Sequence, residues 1–183
     1  MLETIDGREI RQSDPPSLWV VRHAGLIKRG GRVLDLACGA GRHVRWLSAQ
    51  GFAVLAVDID PAALSGLNGL TGVETACRDL EQGDWPLGEE NFAGIVVSRY
   101  LHRPLLPLIA RALLPGGVLI YETFMQGNEQ YGRPSRAAFL LAPGELPKFA
   151  TRHGLEILAS QEGYVDQPRP AMMQAICARR PVG

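Results

Sequence analysis

The sequence lacks an excess of charge of either sign. Its 183 residues include 19 lysines and arginines and 19 aspartates and glutamates, which gives a formal net charge of zero. Because nucleic-acid-binding proteins usually carry a basic excess, this balance argues against a nucleic-acid partner. The hydrophobic fraction of 46% and the charged fraction of 21% are those of a globular protein, and the length predicts one domain over 1–183.

Cysteines and long apolar runs are also scarce. Cys38, Cys77 and Cys177 are isolated and form no C-x-x-C pair, which argues against a disulfide framework or a metal site and fits a reducing compartment. No stretch approaches the roughly 18 apolar residues of a membrane helix. Residues 1–12 contain no apolar signal core. We therefore expect a cytoplasmic protein without a membrane anchor and without a metal.

Short apolar runs alternate with helix-like segments along most of the chain. We predict strands at 32–36, 52–57, 73–77, 93–98 and 118–122, and helices at 17–28, 42–49, 61–67 and 104–114. This alternation is typical of parallel βαβ units, hence of an α/β sheet with helices on both faces. After a helix at 143–153, strands at 155–165 and 171–179 predict a closing hairpin. Residues 1–30 form an N-terminal helical segment in this scheme.

The segment 124–142 contains glycines and polar residues without clear periodicity. Long loops inside a compact domain are uncommon and usually functional, so we predict a lid over the active site. Tyr131 and Arg133 are its candidate substrate-binding residues. The alternative is that both are ordinary exposed side chains of a loop.

A glycine-rich turn follows the first predicted strand, with the sequence Asp35-Leu36-Ala37-Cys38-Gly39-Ala40-Gly41. Glycines at the end of a buried strand let a ligand approach the backbone closely. The carboxylate of Asp35 would repel a pyrophosphate and suits an amino-bearing ligand. Position 37 is alanine, so the dinucleotide pattern G-x-G-x-x-G is incomplete and a nicotinamide dehydrogenase is the least favoured function. A turn that serves packing alone is the alternative.

Acidic residues also follow the second and third predicted strands. Asp58 ends the second strand, where a carboxylate can accept hydrogen bonds from both ribose hydroxyls of a nucleoside. Asp60 is expected to cap the next helix. Asp79 follows the third strand, where it can meet an adenine amino group or serve only as a turn aspartate.

These residues together resemble the class I S-adenosylmethionine-dependent methyltransferase family. The resemblance is carried by 33–41, by Val57-Asp58-Ile59-Asp60, by Arg78-Asp79-Leu80 and by Leu114-Pro115-Gly116-Gly117. It implies a Rossmann-like, doubly wound, mostly parallel seven-stranded sheet in the order 3-2-1-4-5-7-6, with an antiparallel last strand. The segments 37–43, 121–124 and 139–146 are similar to the bacterial tellurite-resistance type of methyltransferase.

The resemblance also implies roles for individual residues toward S-adenosyl-L-methionine. The loop with Ala37, Gly39 and Gly41 would hold the methionine part, although many members have glycine at position 37. Asp35 would lie near the cofactor's amino group and Asp58 would hold the ribose. The remaining expected cofactor contacts are Ile59, Asp79, Leu80 and Ser98.

Candidates for the acceptor side follow the fourth and fifth strands. Arg99 could pair with an anionic substrate, and Tyr100 or His102 could act as a base or orient the substrate. Tyr121 is a candidate substrate contact and Glu122 a candidate catalytic residue, because a buried glutamate without a partner would be costly. The alternatives are a helix-capping serine at 98, a solvated arginine and a packed tyrosine. His43 is expected at the surface.

Three functions remain open at this point. The first is in-line methyl transfer to a small-molecule acceptor, which needs alignment and exclusion of water more than a catalytic dyad. The second is methylation of RNA or protein, with Arg99, Arg103, Arg133 and Arg136 as a basic rim. The third is a non-catalytic cofactor-binding module.

Overall fold

Seven strands form a single sheet in the computed structural model, which describes residues 14–83 and 85–183. The strands are β1 (Arg32–Leu36), β2 (Ala53–Asp58), β3 (Val73–Cys77), β4 (Phe92–Ser98), β5 (Leu113–Phe124), β6 (Glu156–Val165) and β7 (Ala171–Arg179). Their order is β3-β2-β1-β4-β5-β7-β6. The predicted sheet order is therefore confirmed. The part of the N-terminal segment that spans 1–13 lies outside the described residues.

Strands β1 to β5 are parallel, and β7 runs antiparallel to both of its neighbours. Parallel neighbours need crossover connections, and helices supply most of them. The helices are α1 (Leu18–His23), α2 (Arg42–Ala49), α3 (Pro61–Ser65), α4 (Leu106–Arg111) and α5 (Glu145–Arg152). Asp60 accepts a hydrogen bond from the backbone amide of Ala62, so the predicted cap of α3 is confirmed.

Two hydrophobic clusters lie on opposite faces of the sheet. One contains the buried side chains of α4 and α5, and the other contains those of α1, α2 and α3. Successive strand residues point to opposite faces, so Leu34 joins the first cluster and Val33 the second. By the same alternation, the polar side chains of Asp35, Ser98 and Glu122 share the face of α1 to α3. The fold thus places three polar groups on one face at the carboxyl ends of three adjacent strands.

Two predicted helices are divided into a short α-helix and a 3-10 helix. The helix predicted over 17–28 ends at His23 and continues as a 3-10 helix over Ala24–Leu26. The segment predicted as a helix over 104–114 is a 3-10 helix at Arg103–Leu105 followed by α4, and β5 already begins at Leu113. The reason is tertiary: Leu113 is fully buried and pairs with Phe92 of β4, which outweighs local helix propensity.

The segment 124–142 is packed at both of its ends. The amide of Leu141 donates to the carbonyl of Phe124 at 3.0 Å, and the amide of Gln126 donates to the carbonyl of Leu141 at 2.9 Å. Met125 and Leu141 are buried. The segment between them contains two short 3-10 helices, Asn128–Gln130 and Ala137–Phe139. Closure of this segment over a site stays a prediction.

Candidate functional site

The sheet order reverses between β1 and β4, and the backbone is strained at that point. Ala37 follows β1 with a φ of 56°, and Arg99 follows β4 with a φ of 58°. They are the two non-glycine residues with positive φ in the described ranges. Such conformations cost about 1–3 kcal/mol each and cluster at functional sites. Crevices where the strand order reverses are also where open α/β sheets bind ligands.

The glycine-rich turn is held by hydrogen bonds to β2. The amide of Cys38 donates to the carbonyl of Val57 at 3.0 Å, and the amide of Gly39 donates to Asp58 Oδ2 at 2.7 Å. A Cβ on Gly39 would meet no atom within 4 Å, so this glycine faces open space. A Cβ on Gly41 would lie 2.4 Å from a methyl group of Leu67. Packing against Leu67 therefore requires Gly41, whereas Gly39 leaves room for a ligand.

The strain at Ala37 leads to a prediction about stability. We expect Ala37→Gly to raise the free energy of unfolding by up to about 1 kcal/mol, because relief of roughly 1–2 kcal/mol of left-handed strain exceeds the entropy that glycine adds to the unfolded chain. Urea denaturation measures the change. Ala40→Gly is the matched control. Ala40 does not have positive φ, so its replacement by glycine should not raise the free energy of unfolding. A Ala37→Gly variant less stable than the wild type would contradict the assignment of strain.

Asp35 is a buried carboxylate without a full set of partners. Its side chain is 1% exposed, and Oδ2 has no hydrogen-bond partner among the described residues. Burial raises the pKa of Asp35 to about 7, although the charge of Arg42 and the amide of Val44 act to lower it. An unpaired buried carboxylate is costly unless a donor or cation completes it. An ammonium group of a ligand would do so.

A pocket of about 540 Å³ opens beside the carboxyl ends of β1, β2 and β3. We call it the acidic pocket; the residues that line it include Ala37, Asp58, Ile59, Asp79, Leu80, Glu81 and Tyr100. Five of the predicted cofactor contacts therefore meet in one place. Because the carboxyl ends of parallel strands share one edge of the sheet, residues far apart in the chain converge here.

Asp58 and Ile59 give the acidic pocket its character. Asp58 Oδ1 accepts the amide of Asp60 at 3.0 Å while Oδ2 accepts the amide of Gly39. A carboxylate has about four acceptor positions, so two remain for hydroxyl groups. The side chain of Ile59 is 61% exposed and offers an apolar surface. Asp79 accepts the amide of Glu81 at 2.8 Å, which is the turn role considered above.

A second pocket, of about 400 Å³, is lined in part by Arg99, while its neighbour Tyr100 lines the acidic pocket. We call it the arginine pocket, because its lining includes Arg22, Arg42, Arg99 and Arg169 together with Trp19, Glu122, Phe124 and Met173. Its walls come from α1, the ends of β5 and β6, the start of β7 and the turn before it. It lies on the sheet face that carries Asp35, Ser98 and Glu122.

Two side chains that line this pocket, Arg42 and Glu122, are linked through Ser98. Arg42 Nη2 donates to Ser98 Oγ at 2.8 Å, and Ser98 Oγ donates to Glu122 Oε1 at 2.7 Å. Arg42 and Glu122 are each 13% exposed, and their nearest charged atoms are 3.8 Å apart. The arrangement fixes the Glu122 carboxylate beside the point where the strand order reverses.

Several predicted acceptor residues lie elsewhere. Tyr121 is 1% exposed in the core under α4 and α5, where its hydroxyl donates to the carbonyl of Tyr100 at 2.9 Å. Tyr100 lines the acidic pocket rather than the arginine pocket, and burial raises the pKa of its phenol. Neither tyrosine lines the arginine pocket.

The other three candidates, His102, Tyr131 and Arg133, line neither of the two pockets. His102 is half-buried before a 3-10 helix and lines neither of the two pockets. Tyr131 is exposed and packs against Tyr164, with ring centroids 5.5 Å apart. Arg133 is exposed and also outside both pockets. The lid residues therefore do not reach the arginine pocket in this structure.

Sequence reasoning missed four residues that shape the site. Arg22, Arg42 and Arg169 were not singled out, yet all three line the arginine pocket. His43 is buried rather than exposed, and its Nε2 accepts the amide of Ser17 at 3.2 Å. Burial lowers the pKa of His43 to about 3, so the ring is neutral and fastens α1 to α2.

Two searches of the described residues gave negative results. Over 14–83 and 85–183, no helix has the length and apolar character needed to cross a membrane. Within the same ranges, no group of three or more histidine, cysteine, aspartate or glutamate residues could hold a metal ion.

Comparison with known proteins was made at the level of family, sequence and structure. Residues 33–117 match a family described as a methyltransferase domain. An uncharacterized methyltransferase of Synechocystis sp. is 31% identical over 99 residues, which cover 50% of this chain. The match spans 46% of that protein, so the chain aligns with about half the length of this curated relative.

Solved structures match over most of the chain. TehB from Haemophilus influenzae superposes with a TM-score of 0.72 at 23% identity, covering 88% of this chain and 61% of TehB. A Burkholderia thailandensis 1,6-didemethyltoxoflavin-N1-methyltransferase superposes with a TM-score of 0.66 at 24% identity. The match covers 89% of this chain and 76% of that protein. At these identities the likeness is one of fold. Together with the sheet order, the match of residues 33–117 makes this chain similar to methyltransferases; membership of the class I S-adenosylmethionine-dependent family stays the expectation that its motifs carry.

Proposed function

We propose that this protein transfers the methyl group of S-adenosylmethionine to a small-molecule acceptor. The observation that supports this most strongly is the position of the two pockets. The two strained residues that follow β1 and β4, where the strand order reverses, line one pocket each: Ala37 lines the acidic pocket and Arg99 the arginine pocket. One pocket carries groups suited to a nucleoside, and the other leaves room for a second molecule beside it.

The residues around the acidic pocket fit the cofactor. The unpartnered Oδ2 of Asp35 suits the amino group of the methionine part, and the open side of Gly39 leaves room for that part. Asp58 would accept the ribose hydroxyls, Ile59 would cover the adenine face, and Asp79 with Leu80 would contact its edge. Ser98 would act indirectly, through Arg42 and Glu122. The cofactor, when bound, supplies a methyl group already activated on a sulfonium.

The arginine pocket would align the acceptor with that methyl group. In-line displacement depends chiefly on the orientation of the nucleophile and on exclusion of water. Glu122 is the one carboxylate among the described residues that line this pocket, so it is the candidate base for an acceptor that must lose a proton. Its bond to Ser98 holds the carboxylate in one orientation.

A small acceptor is favoured over RNA because two arginines of the proposed basic rim are engaged elsewhere. Arg103 donates to the carbonyls of Ala138 and Leu140 and to both carboxylate oxygens of Glu145, so its guanidinium is occupied. Arg99 faces the pocket rather than an exterior rim. These two arginines therefore do not form a continuous basic surface with Arg133 and Arg136. The toxoflavin-type neighbour was solved with a small-molecule ligand and S-adenosylhomocysteine bound.

Two measurements test the proposal. Isothermal titration calorimetry should show binding of S-adenosylmethionine and S-adenosylhomocysteine to the isolated protein. Incubation with methyl-labelled cofactor and a cell extract should then place the label in the small-molecule fraction. Absence of cofactor binding would refute the proposal, and label in protein or RNA would favour the macromolecular alternative. Binding without transfer to any fraction would favour a non-catalytic module.

A further inference from the structure

The arginine pocket concentrates positive charge in a protein that has no net charge. Four arginines and one glutamate line it, whereas the whole chain sums to zero. The arginines come from four separate parts of the chain: Arg22 from α1, Arg42 from α2, Arg99 after β4, and Arg169 from the turn before β7. Such focusing attracts an anion to the pocket.

These arginines differ in how far the protein already uses them. Arg42 is bound to Ser98 and faces Glu122. Within the described part of the chain, Arg22 and Arg169 form no ion pair within 4.0 Å. Two guanidinium groups are thus available to a ligand, and planar guanidinium groups bind carboxylates with two parallel hydrogen bonds.

A carboxylate of the protein itself already occupies part of this site. Asp14 Oδ2 lies 3.0 Å from Nη1 of Arg99. The pKa of Asp14 is lowered by its hydrogen bond to Arg99 and by the charges of Arg99, Arg42 and Arg169, against an opposing effect of burial. Arg99 therefore contacts this carboxylate directly, and the charges of Arg42 and Arg169 also act on it. The Asp14 side chain is 61% exposed, so a ligand carboxylate can displace it at little cost.

Much of the rest of the lining is apolar. It includes Leu18 and Trp19 of α1 together with Phe124, Val165 and Met173. A small inorganic anion would leave this surface in contact with water, whereas a hydrocarbon or aromatic group would cover it. The pocket is therefore suited to a molecule with a charged end and an apolar body.

We infer that the arginine pocket binds the methyl acceptor and that the acceptor is a small organic acid, with its carboxylate on Arg99 and Arg169 and its apolar part against Trp19 and Phe124. The identification of the bound molecule as the methyl acceptor rests on the proposed function. The preference for an organic acid rests on the pocket alone. The two are therefore separable by experiment.

The first experiment measures binding to the full chain saturated with S-adenosylhomocysteine. The probes are benzoate, phenylacetate, hexanoate and decanoate, each paired with its amide, together with inorganic phosphate. We expect at least one acid to bind ten times more tightly than its amide and more tightly than phosphate. Equal binding of every acid and its amide would overturn the inference. Phosphate binding as tight as that of the best acid would do the same, because the apolar lining would then contribute nothing.

The second experiment assigns the binding to the arginines. We expect Arg169→Gln and Arg22→Gln each to lower the affinity for the tightest-binding acid. For Arg169→Gln the expected loss is about tenfold, the scale of a lost charged hydrogen bond. The affinity for S-adenosylhomocysteine should stay within twofold. Arg152→Gln is the matched control, since Arg152 is exposed in the last turn of α5 and outside the pocket. Loss of S-adenosylhomocysteine affinity in Arg169→Gln would mean that the arginine holds the cofactor's own carboxylate, which contradicts the inference.

Failure of the proposed function has a different signature. If the wild-type protein does not bind S-adenosylhomocysteine, the methyltransferase proposal fails. The comparison of acids with amides on the cofactor-free protein then still decides whether the pocket prefers organic acids.

Discussion

Replacing Asp58 with alanine is expected to weaken binding of S-adenosylmethionine by about 1–3 kcal/mol, the range for hydrogen bonds to a charged group. The ribose would lose an acceptor for its hydroxyls. The glycine-rich turn would also lose the bond between Gly39 and the carboxylate, which spans 2.7 Å. Isothermal titration calorimetry with the wild type and the variant measures the difference.

Asp60 supplies the control for Asp58. It lies two residues further along the chain, and its carboxylate accepts the amide of Ala62 instead of facing the pocket. Asp60→Ala should lower stability by about 1 kcal/mol through loss of a helix cap and leave cofactor affinity unchanged. An Asp58→Ala variant that binds the cofactor as tightly as the wild type would remove the ribose assignment.

Asp35→Asn is expected to change stability and cofactor affinity in opposite directions. The pKa of Asp35 is about 7 in the folded protein and 3.8 in the reference state, so the folded protein binds this proton more tightly. The stabilising contribution of protonated Asp35 is complete below about pH 4 and is lost as the pH rises through 7. Asparagine keeps the shape without the charge. The variant should therefore be more stable than the wild type above pH 7, by no more than about 4 kcal/mol.

The measurement is the difference in unfolding free energy between Asp35→Asn and the wild type at pH 4.5, 6 and 8. The difference is needed because His43 acts in the opposite direction. Its pKa is lowered from 6.5 to about 3, so it contributes stability above pH 6.5 that is lost as the pH falls toward 3. The difference between variant and wild type should increase with pH. A constant difference would show that Asp35 is ionised in the cofactor-free protein throughout this range.

Cofactor affinity completes the test of Asp35. The asparagine variant cannot form an ion pair with an amino group, so we expect its affinity for S-adenosylmethionine to fall about tenfold or more. A gain in stability together with a loss of affinity is the pattern of a strained binding site. Equal affinity in both proteins would place the amino group elsewhere.

The sheet and the acidic pocket could be predicted because their signals are local. Each strand is a short apolar run, and the parallel arrangement brings the residue after each strand to the same edge. The convergence of Asp58 and Asp79 could thus be predicted without knowledge of side-chain contacts. The order of the strands in the sheet came from the resemblance to the family, since no local pattern determines which strands are neighbours or where the hairpin joins the sheet.

The placements that differ from the expectations have physical explanations. Tyr121 and Glu122 are adjacent in a strand, so their side chains point to opposite faces of the sheet. His43 shares a helix face with Leu47, four residues later, which indicates burial. Arg169 was unpredictable in practice, because its position depends on how the turn between β6 and β7 folds over the sheet.

The two pockets are encoded in largely separate parts of the chain. The lining of the acidic pocket falls between positions 37 and 100, inside the segment 33–117 that matches the family. Most of the arginine pocket comes from positions 15–22 and 161–175, outside that segment. New specificity could therefore arise by exchange of these flanking segments while cofactor recognition stays intact. Chimeras that graft them between relatives offer a direct route to engineered substrate preference.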